Sequence, residues 1–395
     1  MRSRNYATAV AGLAVALASA ACSSGGSTAD TRPAAPTASA GALTLKGVCP
    51  DKVIVQTDWF AESEYGVYYQ MLGPGYKFDT AKKRVVGPLV AQGQDTGVRL
   101  EIRYGGPAIG FQQVSAQMYQ DKSITLGQVS TDEAVQNSGK LPTLAVMAPA
   151  EISPYMIMWD KDKHPEFNTI ADIGQTNTKV LYYQTDTYMQ YLLGAGILRP
   201  SQVDGSYQGD PSRWVTAEAK GEPIAEAGFA TSEPYLYKHE LGPGKSYNVD
   251  LQLINDTGYP NYAEALVIRA EDKDKLAPCL KKLVPIVQQS LVDFMNDPTA
   301  TNTLVIAAVK ADKSSVWTYS SGMADYAVKT LKDLGLVSNG SNGTIGDIDA
   351  ARIKRMIDIL TPIFASKKVQ IKAGLQPSNL FTNEFLDPKI GLKSG

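Results

Sequence analysis

Between positions 58 and 65 the chain places Asp58, Trp59, Glu62, Ser63, Glu64 and Tyr65, a set of side chains able to grip a small molecule. An indole face contributes about 0.5–1.5 kcal/mol to a stacked ring beyond the area it buries, so polar groups must set the identity of a ligand. Here those groups are carboxylates, and residues 53–69 contain no Lys or Arg. Carboxylates suit an amino-bearing heterocycle, whereas a sulfonate or nitrate asks for donors and preferably a cation. Asp58, Trp59, Glu62 and Tyr65 are therefore expected to touch a neutral or weakly cationic aromatic ligand. Glu62 and Glu64 can equally be read as solvated carboxylates at a helix start, and Tyr68, Tyr69 and Leu72 as core packing. Arg103, Arg213 or a helix N-terminus could still host an anion.

These residues need a strand to present them. Residues 52–57 are β-rich and read as the first buried strand of a sheet, and Tyr65, Tyr68, Tyr69 and Leu72 then follow helical spacing. A large aromatic at the carboxyl end of such a strand lies where open α/β sheets bind ligands. Residues 73–97, rich in Gly and Pro, read as a surface loop. Strands follow at 98–104, 124–129, 144–148 and 155–159, with helical spacing over 108–119. Ser130 or Thr131 caps the next helix, giving a repeated β-α order and a largely parallel sheet. A second series runs from 179 to 254. A buried strand at 265–269 is followed by helices over 271–295, 300–311, 323–336 and 347–364. The second α/β unit reads as inserted into the first.

Residues 1–22 combine a basic start, an alanine-rich apolar run and Cys22, a secretory signal too short to span a bilayer comfortably. The segment Leu17-Ala18-Ser19-Ala20-Ala21-Cys22 resembles a bacterial lipobox, which implies lipidation of Cys22, although Ser19 departs from the usual aliphatic residue. Conventional cleavage after Ala20 or Ala21 is the alternative. Residues 23–48 are mostly small and polar and read as a tether. Cys49 and Cys279 are the remaining cysteines, and in an exported chain an isolated pair most simply forms a disulfide. A formal charge of −2 without a basic stripe argues against nucleic acid as a partner. Two histidines, His164 and His239, stand alone in the sequence and read as surface residues, so neither histidine acid/base chemistry nor a metal site is expected. No cofactor is expected.

The motif order resembles the solute-binding proteins of bacterial ABC importers, in the branch that takes nitrate, sulfonates, taurine and thiamine pyrimidine precursors. The resemblance is carried by Thr57-Asp58-Trp59-Phe60 with Tyr65-Gly66, by Gly105-Gly106-Pro107, and by Ser130-Thr131-Asp132-Glu133. It continues through Gly194-Ala195-Gly196-Ile197, Gly228-Phe229-Ala230-Thr231-Ser232-Glu233-Pro234-Tyr235 and Leu380-Phe381-Thr382-Asn383-Glu384-Phe385. It implies a two-lobe α/β fold of the periplasmic-binding-protein type II class, the second lobe inserted in the first and the C-terminal region helical. The expected division is lobe I at 49–158, lobe II at 159–260 and a return to lobe I at 261–395. It also implies ligand contacts from Trp59, from Thr131 and Asp132, and from Gln184, Thr185 and Glu233, with Tyr183 or Tyr182 closing the far face of an aromatic ring. The expected protein is a lipid-anchored monomer on the extracytoplasmic face of the cell membrane that performs no chemistry. It hands a small aromatic or heterocyclic solute, similar to a thiamine pyrimidine precursor, to ABC permease subunits. A small anion is the alternative cargo, and a pyrimidine-synthase-like enzyme the alternative of another class.

Overall fold

The computed structural model describes residues 35, 43–313 and 317–393. The signal over 1–22, the lipidation candidate Cys22 and most of the tether over 23–48 lie outside the described residues.

The chain enters through β1 (Lys52–Gln56), a run of Val and Ile buried on both faces, followed by a 3-10 turn over Ser63–Tyr65 and the short α1 (Gly66–Tyr69). Next come β2 (Lys77–Asp79), β3 (Arg84–Ala91) and β4 (Gln94–Arg103). They are followed by α2 (Val114–Gln120), β5 (Leu126–Val129), α3 (Thr131–Asn137) and β6 (Thr143–Met147). The chain then crosses to β7 (Tyr155–Asp160), α4 (Ile170–Gly174), β8 (Lys179–Leu181), α5 (Tyr188–Gly194) and β9 (Val203–Asp204). There it continues through α6 (Ser212–Lys220), β10 (Ile224–Phe229), α7 (Glu233–His239) and β11 (Val249–Leu253). It returns through β12 (Ala265–Arg269) into α8 (Lys273–Asn296), α9 (Thr299–Ala311), α10 (Ser321–Asp333) and α11 (Ala350–Ser366).

Two sheets result. One has the order β2-β3-β4-β1-β5-β12-β6, the other β11-β7-β10-β8-β9. Every strand of the second sheet lies between β6 and β12 in the chain, so the second lobe is inserted in the first, as the motif order suggested. The first sheet is less parallel than a β-α repeat predicts: β1 runs parallel to β4 and β5, but β12 is antiparallel to both neighbours and β3 to β4. A strand that re-enters from another lobe approaches from the far end, and it therefore runs backwards. β7 belongs to the second sheet, pairing with β10 and β11, so the crossing comes ahead of residue 155 and not at 158.

The largest departure is at 73–97, where a hairpin stands in place of the expected surface loop. Residues of β3 alternate between buried and half-buried, and Ala91 pairs with Gln94 around Gln92-Gly93. Both turn residues have positive φ, +49° and +74°, which twists a two-residue connection to match the strands. Pro88 sits where the register shifts, a place that tolerates a missing N–H. Helical spacing at 108–119 likewise resolves into a 3-10 turn over Gly106–Ile109 and a separate α2, because Gly110 and Phe111 both adopt left-handed φ between them.

Cys49 and Cys279 form a disulfide with Cα atoms 4.6 Å apart, joining the segment ahead of β1 to α8. Among the described residues no helix is long and apolar enough to cross a membrane.

Candidate functional site

The cleft between the sheets starts at the end of β1. Thr57 Oγ1 donates to the carbonyls of Trp59 and Arg103 at 2.8 and 2.9 Å, and Gln56 Nε2 donates to the carbonyls of Thr57 and Tyr104 at 2.9 and 3.0 Å. Gly105 and Gly106 donate their N–H groups to the carbonyls of Trp59 and Asp58. This clamp needs glycine. A Cβ at Gly105 would lie 2.3 Å from the Asp58 and Thr57 backbone, and one at Gly106 would lie 2.4 Å from the Trp59 ring. Asp58 and Trp59 are thereby fixed at the mouth of the first sheet with their side chains in the cleft.

Trp59 stands among rings from both lobes: Tyr183 at 5.4 Å, Trp317 at 6.1 Å and Phe111 at 6.2 Å between centroids. Trp317 in turn stacks on Phe60 at 6.0 Å. Further along the cleft Tyr155 meets Tyr188 at 5.0 Å and Phe229 at 4.8 Å. The space enclosed and open to water is about 140 Å³, far above the roughly 10–15 Å³ that one water requires.

Around these rings stand Asp58, Glu62, Asp132, Glu133, Asp186 and Glu233, and the described lining residues include no Lys or Arg. Burial disfavours the charged form of each. It lifts Asp58 to about 6, against the opposing hydrogen bond from Tyr65 Oη at 2.8 Å. It carries Glu133 and Asp186 to about 7, the former against a bond from the Ser115 N–H, the latter against one from Tyr188 Oη. Glu62 is raised further, by burial and then by the charges of Glu64, Glu264, Asp58 and Glu233. Asp132 and Glu233 are also raised by burial, although each is well bonded. Asp132 accepts from Tyr259 Oη and the Glu133 N–H, and Glu233 from the Phe229 N–H and Ser232 Oγ.

Of the residues expected from sequence, Asp58, Trp59, Glu62, Asp132, Tyr183, Thr185 and Glu233 line the cleft. Three others stand off it. Tyr65 is buried behind Asp58 and holds it by hydrogen bond. Thr131 is buried with its N–H on the Tyr262 carbonyl, leaving Ser130 as the cap of α3. Gln184 is exposed beside Gly205. The reading of Glu62 and Glu64 as solvated is corrected, because they are 4 % and 8 % exposed. The 3-10 turn that carries Glu64 is roofed by Tyr319, whose Oη accepts the Ser63 N–H, and Thr231 Oγ1 of the second lobe donates to Glu64. Arg103 is engaged by Glu101 and Asp121, and Arg213 by Asp204 and Ser206, so neither faces the cleft. Tyr182 packs in the core while Tyr183 faces the cleft, as strand alternation requires.

Sequence reasoning missed Phe111, Glu133, Tyr155, Asp186, Tyr188, Phe229 and Trp317. Asp186 carried a signal, being in the turn that follows β8 beside Thr185. Trp317 carried none, since it comes from the connection ahead of α10. His164, stacked on Phe167, and the exposed His239 are not among the lining residues. Among the described residues no group of three or more His, Cys, Asp or Glu is placed to hold a metal ion.

No family model matches the chain, and no curated protein matches it by sequence. Solved structures do. The periplasmic aliphatic sulphonate binding protein SsuA from Escherichia coli is 12% identical, with 83% of this chain and 94% of that one covered at a TM-score of 0.50. A ligand-binding component of an ABC-type import system from Staphylococcus aureus, solved with zinc bound, is 13% identical over 84% and 97% at 0.50. The periplasmic nitrate-binding protein NrtA from Synechocystis PCC 6803 is 10% identical over 85% and 87% at 0.50. The chain therefore has the two-lobe periplasmic-binding-protein-like fold that these solute-binding proteins share.

Proposed function

We propose that this chain is the extracytoplasmic solute-binding component of an ABC importer and that it captures a small aromatic or heterocyclic solute bearing basic nitrogen. The observation that carries this reading is the makeup of the interlobe cleft: aromatic rings from both lobes, six carboxyl groups and no Lys or Arg among the described lining residues. A ring inserted beside Trp59 and Tyr183 gains stacking, and an amino or ammonium group gains charge-assisted hydrogen bonds to carboxylates. A pyrimidine with an amino substituent, of the thiamine-precursor kind, has this chemistry.

Closure follows from where the contacts lie. Trp59 meets Tyr183, and Thr231 Oγ1 donates to Glu64, so both contacts join one lobe to the other. A ligand that touches both walls favours this closed arrangement by its differential affinity for it. Cys22 would be the lipid attachment, residues 23–48 the leash, and a membrane permease the partner that accepts the solute from a monomeric binding protein. Transfer of a bound solute needs no chemical step, and the cleft offers no histidine for one.

The sulphonate- and nitrate-binding neighbours favour a second reading, a small anion. It would have to rely on backbone N–H groups amid carboxylates. A thermal-shift panel decides between them, using aminopyrimidines, thiamine, taurine, an alkanesulfonate, benzoate and nitrate. At a hundred times its dissociation constant a ligand stabilises the fold by about 2.7 kcal/mol, a shift of several degrees. A shift by aminopyrimidines that Trp59→Ala abolishes is the expected result. A shift by anions alone would overturn the cargo while leaving the transport role.

A further inference from the structure

The chain passes between the lobes on its way from β6 to β7 and again from β11 to β12. Arg352, in the first turn of α11, holds both passages. It donates from Nη1 to the carbonyl of Glu151 in the first passage at 2.6 Å. From Nε and Nη2 it donates to the carbonyls of Pro260 and Asn261 in the second, at 2.7 and 2.8 Å. The guanidinium carbon lies 3.7 Å from the centroid of the Tyr262 ring, whose Oη accepts the N–H of Asp349, the cap of the same helix.

This placement serves the passages and not the helix, because a cation in the first turn works against the helix dipole. The Glu151 carboxylate is also further from the guanidinium, at 3.3 Å, than any of the three carbonyls. A planar guanidinium presents its donors in a fixed fork and can reach several carbonyls at once, which a compact ammonium cannot do in the same geometry. α11 itself packs on α3 of the first lobe and on α5 of the second. Arg352 therefore stands where the lobes share a support.

The second passage is wired to the cleft as well. Asn261 Oδ1 accepts the Asp132 N–H at 3.2 Å, Tyr259 Oη donates to the Asp132 carboxylate at 2.8 Å, and the Tyr262 carbonyl accepts the Thr131 N–H at 2.9 Å. Asp132 lines the cleft. The path from Asp132 through Asn261 and Arg352 to Glu151 is thus hydrogen-bonded at every step.

We propose, resting on the reading of the cleft as one that closes around a solute, that Arg352 is a positioning residue for solute capture: it ties the two passages together and so fixes the angle at which the lobes meet. It touches no solute. Without it each passage turns on its own, and the lobes spread over a range of angles. The arrangement in which Trp59 meets Tyr183 then becomes a smaller fraction of the population, and apparent affinity falls by that fraction.

Small-angle X-ray scattering of the unliganded mature protein tests this without any solute. Arg352→Lys keeps the charge and loses the fork, whereas Arg352→Ala loses both. We expect both variants to show a larger radius of gyration and maximum dimension than the unaltered protein, at unchanged far-ultraviolet circular dichroism. Glu151→Gln leaves its carbonyl in place and should scatter as the unaltered protein does. Superposable profiles for Arg352→Lys and the unaltered protein would overturn the proposal. Equal opening in Glu151→Gln and Arg352→Lys would overturn it too, by placing the effect in the ion pair. The Lys variant decides the question even where the Ala variant folds poorly. Calorimetric titration with 4-amino-2-methylpyrimidine gives a second reading, with binding to Arg352→Lys expected to be about tenfold weaker. Equal affinity would count against Arg352. No binding to the unaltered protein would count against the proposed cargo instead, and the scattering would still decide on Arg352.

Discussion

Two buried groups of carboxylates treat the same physical cost in opposite ways. On the outer half of the first sheet Glu101 is fully buried, yet Lys52, Arg84 and Arg103 surround it at 2.7, 2.9 and 2.7 Å. Burial alone would raise its pKa, but the three cations outweigh it and hold Glu101 at about 2. In the cleft and next to it, Asp58, Glu62 and Glu64 are buried or nearly so with no cation beside them among the described residues, and all three are raised. The chain thus has the means to neutralise a buried carboxylate and leaves the cleft without them. On the proposed reading that cost is offset by a basic solute arriving from outside, whereas Glu101 is satisfied within the sheet.

Breaking the satisfied side of the comparison should have the largest effect. Glu101→Ala leaves three basic side chains facing each other across β1, β3 and β4, and we expect a loss of about 3–5 kcal/mol, measured by urea unfolding. No change would mean that the cluster is mere surface charge. The two regions should next part company with pH. Groups with raised folded-state values, Asp58 near 6 and Glu64, Glu133 and Asp186 near 7, bind more protons folded than unfolded. Their stabilising contribution is complete below about pH 4 and is lost as the pH rises through about 7. Glu101 has the opposite sign, its contribution being present above about pH 4.5 and lost as the pH falls toward 2. Unfolding free energy of the unliganded protein should therefore decline by a few kcal/mol from pH 5 to pH 8, and a bound cation should flatten that decline.

A smaller effect is expected at one cleft position. Glu62→Gln should stabilise the unliganded protein at pH 8 by about 1–3 kcal/mol, because the amide is neutral at any pH, whereas the buried carboxyl must either bind a proton or carry an unpaired charge. Destabilisation instead would show that Glu62 already has its partner. The smallest effect should come from Tyr65→Phe, which removes one hydrogen bond, costs about 0.5–1.5 kcal/mol, and lifts Asp58 above its value near 6 in a carboxyl titration followed by NMR.

The same contrast explains how much could be read from sequence. Asp58 and Trp59 were legible because a strand end, a turn and a glycine pair are local features. The inserted lobe was legible because β12 returns as a buried strand after a complete second series. Burial of Glu62 and Glu64 was not, since it depends on Tyr319 and Thr231, brought over by α10 and β10. Hairpin β3-β4 escaped because Gln92-Gly93 lacks the Asn or Asp that usually announces such a turn, and because two prolines and five glycines over 73–97 resemble a loop. Trp317 reaches the cleft only through the arrangement of the lobes, which no spacing in the chain records.

The disulfide has a consequence of another kind. A pull entering through the residues ahead of Cys49 meets the Lys282 hydrogen bond to the Thr44 carbonyl, two backbone hydrogen bonds from Leu45 and Lys46 to Thr96, and then the sulfur bridge to Cys279. From there the load enters α8, a 24-residue helix packed along the first lobe, and bypasses β1 and the Asp58-Trp59 corner that follows it. Tension on the N-terminal segment therefore loads the back of the first lobe and leaves the Asp58-Trp59 corner undisturbed.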